Sequence, residues 1–269
     1  MDPFGNVSLG GKQILAGSQC AYPASLKIPW SENSNEPPTI NGWLEDSSYE
    51  ATPIQGLDYF DALFDYFTVP NDPATYSNQI LYFFPGLASS DAIAQPVLSW
   101  GNNGFYGGNY WSLAAWYYIS GSSSYYYSPP FTVGVGDQIS GIIKMTGVES
   151  CPWPLTGTCY EWSVIAYDTW MGEEGVENFV TPEQYTQAYP AVQEVYNLSE
   201  CSELSGTPSD TFYYVQLDQA GPYWNSFNDV TDPAAWGSYA GSGLSPQCSY
   251  GIQNWVGGQG DESALIWAN

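Results

Sequence analysis

From about Asp58 onward the chain is a succession of short runs rich in β-branched and aromatic residues, each closed off by turn residues. These runs fall at 63–69, 79–84, 94–100, 110–119, 130–135, 138–146, 159–167, 211–217 and 264–268. Several alternate, as Tyr160-Glu-Trp-Ser-Val-Ile-Ala-Tyr167 does, which is the period of a strand with one buried face. Gly101-Asn102 and Gly136-Asp137 supply turn chemistry between them. Only 181–197, opening on Thr181-Pro-Glu183, suggests a helix. Pro190 would interrupt that helix, so the segment reads as loop plus strand. Many short strands with turn signals predict an all-β antiparallel sandwich or barrel.

Residues 1–50 are rich in Gly, Ser, Asn and Pro, with Ile14-Leu15 and Leu26-Lys-Ile28 as their only strand-like runs. The expected organisation is an N-terminal extension, 1–57, packed on a β-sandwich domain, 58–269. Within that domain 223–262 has little periodicity and reads as long surface loops or an embellishment on the sandwich.

The chemistry open to such a chain is narrow. It has no histidine, no arginine and three lysines (Lys12, Lys27, Lys144), against 28 carboxylates and 46 aromatic residues. Without an imidazole, Ser-His-Asp and Cys-His sites and His-containing zinc sites are excluded. A formal charge of −25 repels nucleic acid and anionic lipid. No run approaches the ~20 apolar residues of a membrane span. What remains is carboxylate acid–base chemistry, with no cofactor or metal implied. The sequence isoelectric point of about 4.1 has two readings: it suits an acidic medium, in which protonation relieves the self-repulsion, or it keeps a secreted protein soluble.

Five cysteines fit a secreted, extracellular protein with two disulfides. Cys151 and Cys159 flank a Pro/Gly-rich turn and can close a local loop. Cys201 with Cys248 is the expected second bridge, leaving Cys20. Asn6-Val-Ser8 and Asn197-Leu-Ser199 are glycosylation sequons in that setting. The expected form is a monomer.

Aromatic residues crowd Tyr106–Trp111, Trp116–Tyr118, Tyr125–Tyr127 and Tyr223-Trp224. On strands, alternate members face opposite ways, so such clusters serve both core packing and an aromatic-lined cleft for an extended peptide or a glycan. Of the carboxylates, Glu161 and Asp168 lie seven apart and face opposite sides of a regular strand, and Glu173, Glu174 and Glu177 read as an acidic loop. The Glu-x-Asp-x-x-Glu strand of the sandwich glucanases has no counterpart. A two-carboxylate glycosidase would need a second acid near its first, and the sequence names none.

Four runs, taken in order, resemble a known family. They are Ile80-Leu-Tyr-Phe-Phe-Pro-Gly-Leu87, Ala94-Gln95-Pro-Val-Leu-Ser-Trp100-Gly101, Tyr110-Trp-Ser-Leu-Ala-Ala-Trp116-Tyr117 and Val135-Gly136-Asp137-Gln-Ile139. Together they resemble the glutamic peptidases (eqolisins), acid-secreted fungal endopeptidases on a concanavalin-like, jelly-roll-type β-sandwich. The resemblance covers about 78–201. It implies that Gln95 is the catalytic glutamine and that Glu194, in Ala191-Val-Gln-Glu194-Val-Tyr196, is the catalytic glutamate. It also implies that Tyr82, Trp100, Tyr110, Trp111 and Trp116 line a polypeptide-binding cleft, with Tyr82 in the place of the family's cleft tryptophan. The chain departs from the family at Ser99, Trp111, Ala115 and Val195, where the family carries acidic residues. The competing expectation is a non-catalytic module that binds glycan or cell-wall polymer on its aromatic surface.

Overall fold

A computed structural model describes residues 8–9, 12–13, 40–51, 59–120, 124–153, 155–207, 209–219, 236–256 and 262–267. A short pair, β1 (Ser8–Leu9) and β2 (Lys12–Gln13), stands by itself. The other strands form two antiparallel sheets. One has seven strands: β4 (Phe60–Thr68), β10 (Gln138–Ser150), β11 (Thr158–Asp168), β12 (Glu173–Thr181), β14 (Asp210–Gln219), β16 (Gly251–Val256) and β17 (Glu262–Trp267), in the order β12-β11-β10-β4-β14-β17-β16. The other contains β3 (Ile40–Glu50), β5 (Ile80–Ala88), β6 (Ala92–Trp100), β7 (Trp111–Ile119), β8 (Ser124–Tyr127), β13 (Gln187–Leu198) and β15 (Gly237–Ala240), in the order β15-β3-β13-β5-β6-β7-β8, with β9 (Phe131–Thr132) pairing with β7. The expected all-β sandwich is the architecture observed.

Alternation builds the core. Leu63 and Phe67 of β4, Ile139 and Ile143 of β10, and Trp162, Val164 and Ala166 of β11 meet Leu81, Phe83, Ala94, Leu98 and Val195 from the facing sheet in one inter-sheet cluster. The eight-stranded sheet is unusual in having a second buried face. Trp43, Tyr82, Phe84, Ile93, Val97, Trp116, Tyr118, Tyr189 and Val192 form a separate apolar cluster there. Its central strands therefore read as continuous apolar runs, as strands covered on both faces do.

Two strands fall where loops were expected. β3 lies between β13 and β15, so the sandwich takes in residues from the expected extension. It was hidden because its pairing with β13 shifts register repeatedly and its middle, Glu45-Asp46-Ser47, is polar yet buried. β12 contains Glu173, Glu174 and Glu177 and is an edge strand, where carboxylates oppose edge-to-edge association. Pro190 sits inside β13 at a register shift, where a missing ladder donor is tolerated. Within 223–262, β15 extends one sheet and β16 the other. The runs Ile14-Leu15 and Leu26–Ile28 lie outside the described residues.

Both expected disulfides form, Cys151–Cys159 and Cys201–Cys248, spanning 8 and 47 residues. Chain-entropy arguments make the longer loop worth about 4 kcal/mol and the shorter about 2.5 kcal/mol. Replacing Cys201 and Cys248 together by serine is therefore expected to lower the urea-unfolding free energy by more than the same change at Cys151 and Cys159. Equal losses would count against a loop-entropy origin.

Candidate active site

Gln95 and Glu194 lie on the same outer face of the eight-stranded sheet. Parity fixes this. In β6, Ala94 and Leu98 enter the inter-sheet core, so Gln95 lies with Ile93 and Val97 on the other side. In β13, Val195 enters the core, so Glu194 lies with Val192 and Tyr196. Both side chains are withdrawn from solvent, at 1% and 0% exposure.

The register lays this face out in rows. Glu194 is opposite Trp43 on one side and Tyr82 on the other, and Tyr82 is opposite Ser99. In the next row Asp46 is opposite Val192, and Val192 opposite Phe84. In the third, Tyr189 is opposite Gly86, and Gln95 is opposite Trp116. Gln95 and Glu194 are thus two strands and two rows apart, with Phe84 on the diagonal between them. Strand spacings of about 4.8 Å and rises of about 3.3 Å put their Cα atoms roughly 16 Å apart on a flat sheet.

Each polar group has a defined setting. The Tyr196 hydroxyl donates to Glu194 Oε1 at 2.7 Å. Such a bond favours the ionised carboxylate. Gln95 Nε2 is buried and meets no acceptor among the described residues. Asp46 is 9% exposed; burial pushes its carboxyl up to about 6, partly offset by a hydrogen bond with Ser48. Beyond Lys27 the chain has one basic side chain, Lys144. It pairs with Ala62 and Ser163 in the other sheet.

The expected cleft residues divide between the two faces. Tyr82 and Trp116 share the outer face with the Gln/Glu pair. Trp116 Nε1 donates to the Tyr106 hydroxyl at 2.8 Å, and its ring stacks on Tyr127 at 4.8 Å. Trp100 and Trp111 instead point into the inter-sheet core, with their rings 5.4 Å apart. Tyr110 is 43% exposed, in the loop preceding β7. A coplanar exposed platform, as glycan stacking needs, is not made by these five rings. Sequence reasoning did not single out Trp43, Asp46, Phe84, Tyr189 or Tyr196 for this site. A Gly-Trp step at 42–43 was the one local signal for the first.

No family model matches the chain, and no curated protein matches it. Solved structures do. A crystal structure of scytalido-glutamic peptidase with a transition-state analogue inhibitor aligns with a TM-score of 0.56 at 13% identity, over 86% of this chain and 100% of that one. A second, with a peptide-based transition-state analogue, aligns at 0.51 and 16%, over 84% and 98%. The likeness is one of fold.

Proposed function

We propose that the protein is a secreted acid endopeptidase in which Glu194 and Gln95 act on one peptide bond. The supporting observation is their common position on one buried sheet face, in a fold shared with the two glutamic peptidase structures. The separation suits the task. A carboxylate–water–carbonyl–amide chain spans about 9–10 Å: two hydrogen bonds of about 2.8 Å, a near-attack contact of about 3 Å and one C=O bond. Side chains standing up from Cα atoms roughly 16 Å apart meet that span by leaning about 3 Å apiece toward each other.

In this reading Glu194 removes a proton from water as it attacks the carbonyl carbon. The Gln95 amide donates to the oxyanion that forms. Proton return to the amine then breaks the C–N bond. A carboxylate base suits an acid optimum, and histidine is not needed. Because both groups are buried, the outer face must open to an entering chain. The two disulfides fit an oxidising, extracellular setting.

Cleavage of an unfolded protein substrate between pH 2 and 7 tests the reading. Activity should peak below about pH 5. Gln95→Ala should lower kcat about 10²–10³-fold with little change in KM, as loss of an oxyanion donor does. No cleavage by folded wild type at any pH would overturn the assignment.

A further inference from the structure

We propose that Asp46 is the second proton-carrying group of this site, the general acid that protonates the departing amine while Glu194 serves as general base on water. The inference rests on the peptidase reading and divides its proton work between two carboxyls.

The register carries the argument. Asp46 is opposite Val192 and Glu194 is opposite Trp43, so Asp46 and Glu194 stand on adjacent strands, one diagonal step apart on the same face. Diagonal neighbours in an antiparallel pair have Cβ atoms about 7 Å apart, within reach of carboxyl-bearing side chains. A register shift in β3 makes this possible. Gln193 is opposite Glu45 while Glu194 is opposite Trp43, so Leu44 is the extra residue and Trp43 and Asp46 come to the same face. Gln95, two strands away, is a much more distant partner for Glu194.

The groups facing Asp46 can be named strand by strand. Tyr239 of β15 is directly opposite, Glu194 of β13 lies on the diagonal, and Ser48 is its hydrogen-bonding neighbour on β3. None is a cation. Two buried carboxyls one diagonal step apart do not both ionise readily. The surroundings choose which one keeps the proton. Tyr196 donates to Glu194 and supports its anion, whereas burial holds Asp46 in its acid form to about pH 6.

The step balances. Water loses a proton to Glu194 as its oxygen bonds to the carbonyl carbon. Asp46 gives its proton to the amide nitrogen as the C–N bond breaks. The proton on Glu194 then passes to the Asp46 carboxylate, restoring both groups.

The test compares wild type, Asp46→Asn, Asp46→Glu and Glu194→Gln on a peptide amide and on the matching nitrophenyl ester, whose leaving group needs no proton. Asp46→Asn should lower kcat/KM on the amide about 10²-fold and remove the alkaline limb near pH 6, with less than about threefold loss on the ester. Asp46→Glu should restore part of the amide activity, and Glu194→Gln should abolish both. Equal losses on amide and ester, or an unmoved alkaline limb, would overturn the role of Asp46. An active wild type that Glu194→Gln silences and Asp46→Asn leaves unchanged would overturn that role alone. A wild type inactive at every pH would overturn the peptidase reading and this role with it.

Discussion

Glu194→Gln is expected to lower kcat/KM for acid proteolysis by about 10³–10⁴-fold, the upper range for loss of a general base. The change is nearly isosteric and leaves an acceptor for the Tyr196 hydroxyl, which now donates to Glu194 Oε1. Packing in the apolar cluster around it should persist, and thermal melts at acid pH should coincide with wild type. What disappears is the ability to take a proton from water, which an amide cannot do at any working pH. Glu203 is an apt contrast. It is also buried, but its oxygens accept hydrogen bonds from the Ser199 backbone, the Ser199 hydroxyl and the Glu200 backbone at a helical turn. Glu203→Gln should therefore cost stability and leave cleavage per folded molecule alone. Retention of more than a tenth of wild-type activity by Glu194→Gln would mean that another group is the base.

How much of this was legible in the sequence depends on the range of the interaction. The in-and-out rhythm of β6 and β11 is local, so strands and core faces could be read from it. Parity could also have warned that Trp100, five residues beyond Gln95, faces the opposite way on a regular strand. Trp111 and Trp116 differ by five in the same manner, and they too lie in different clusters. The Cys151–Cys159 bridge is local as well. β3 was not legible, because its polar centre is satisfied by partners far along the chain: Glu45 accepts from the Gly251 backbone, and Asp46 faces β13 and β15. Which residue stands beside Glu194 depends on the register of strands distant in sequence and on one shift in β3. No run of residues near Glu194 encodes that.

The largest effect on the folded protein itself should come from pH, and its sign follows from burial. Asp46 is pushed up to about 6, and Asp210 and Glu177 to about 7, chiefly because burial disfavours the charged form. Asp61 and Asp65 move the same way for the same reason. Asp65 is the extreme case. It stands between Leu63 and Phe67 on β4, at 0% exposure, and a backbone hydrogen bond at Tyr66 offsets its burial only in part. In each case the folded protein holds a proton that the unfolded chain releases near pH 4. The stabilisation is complete below that pH and is lost as pH rises through the folded values, between about 4 and 7. At about 1.4 kcal/mol per pH unit, Asp46 and Asp210 alone correspond to a loss on the order of 7 kcal/mol. Glu203 acts in the opposite sense. Hydrogen bonds from Ser77, Ser199 and Glu200 outweigh its desolvation and hold its pKa down, so its contribution is lost only as pH falls below the ordinary glutamate range. Melting temperatures measured from pH 3.5 to 7.5 should fall by roughly 15 °C or more across the series. The double change Asp46→Asn with Asp210→Asn should flatten that slope, because an amide has no proton to lose. A melting temperature that holds steady or rises toward neutrality would contradict the burial argument. A protein whose fold tightens as carboxyls take up protons is suited to the acidic medium in which a carboxylate base such as Glu194 would work.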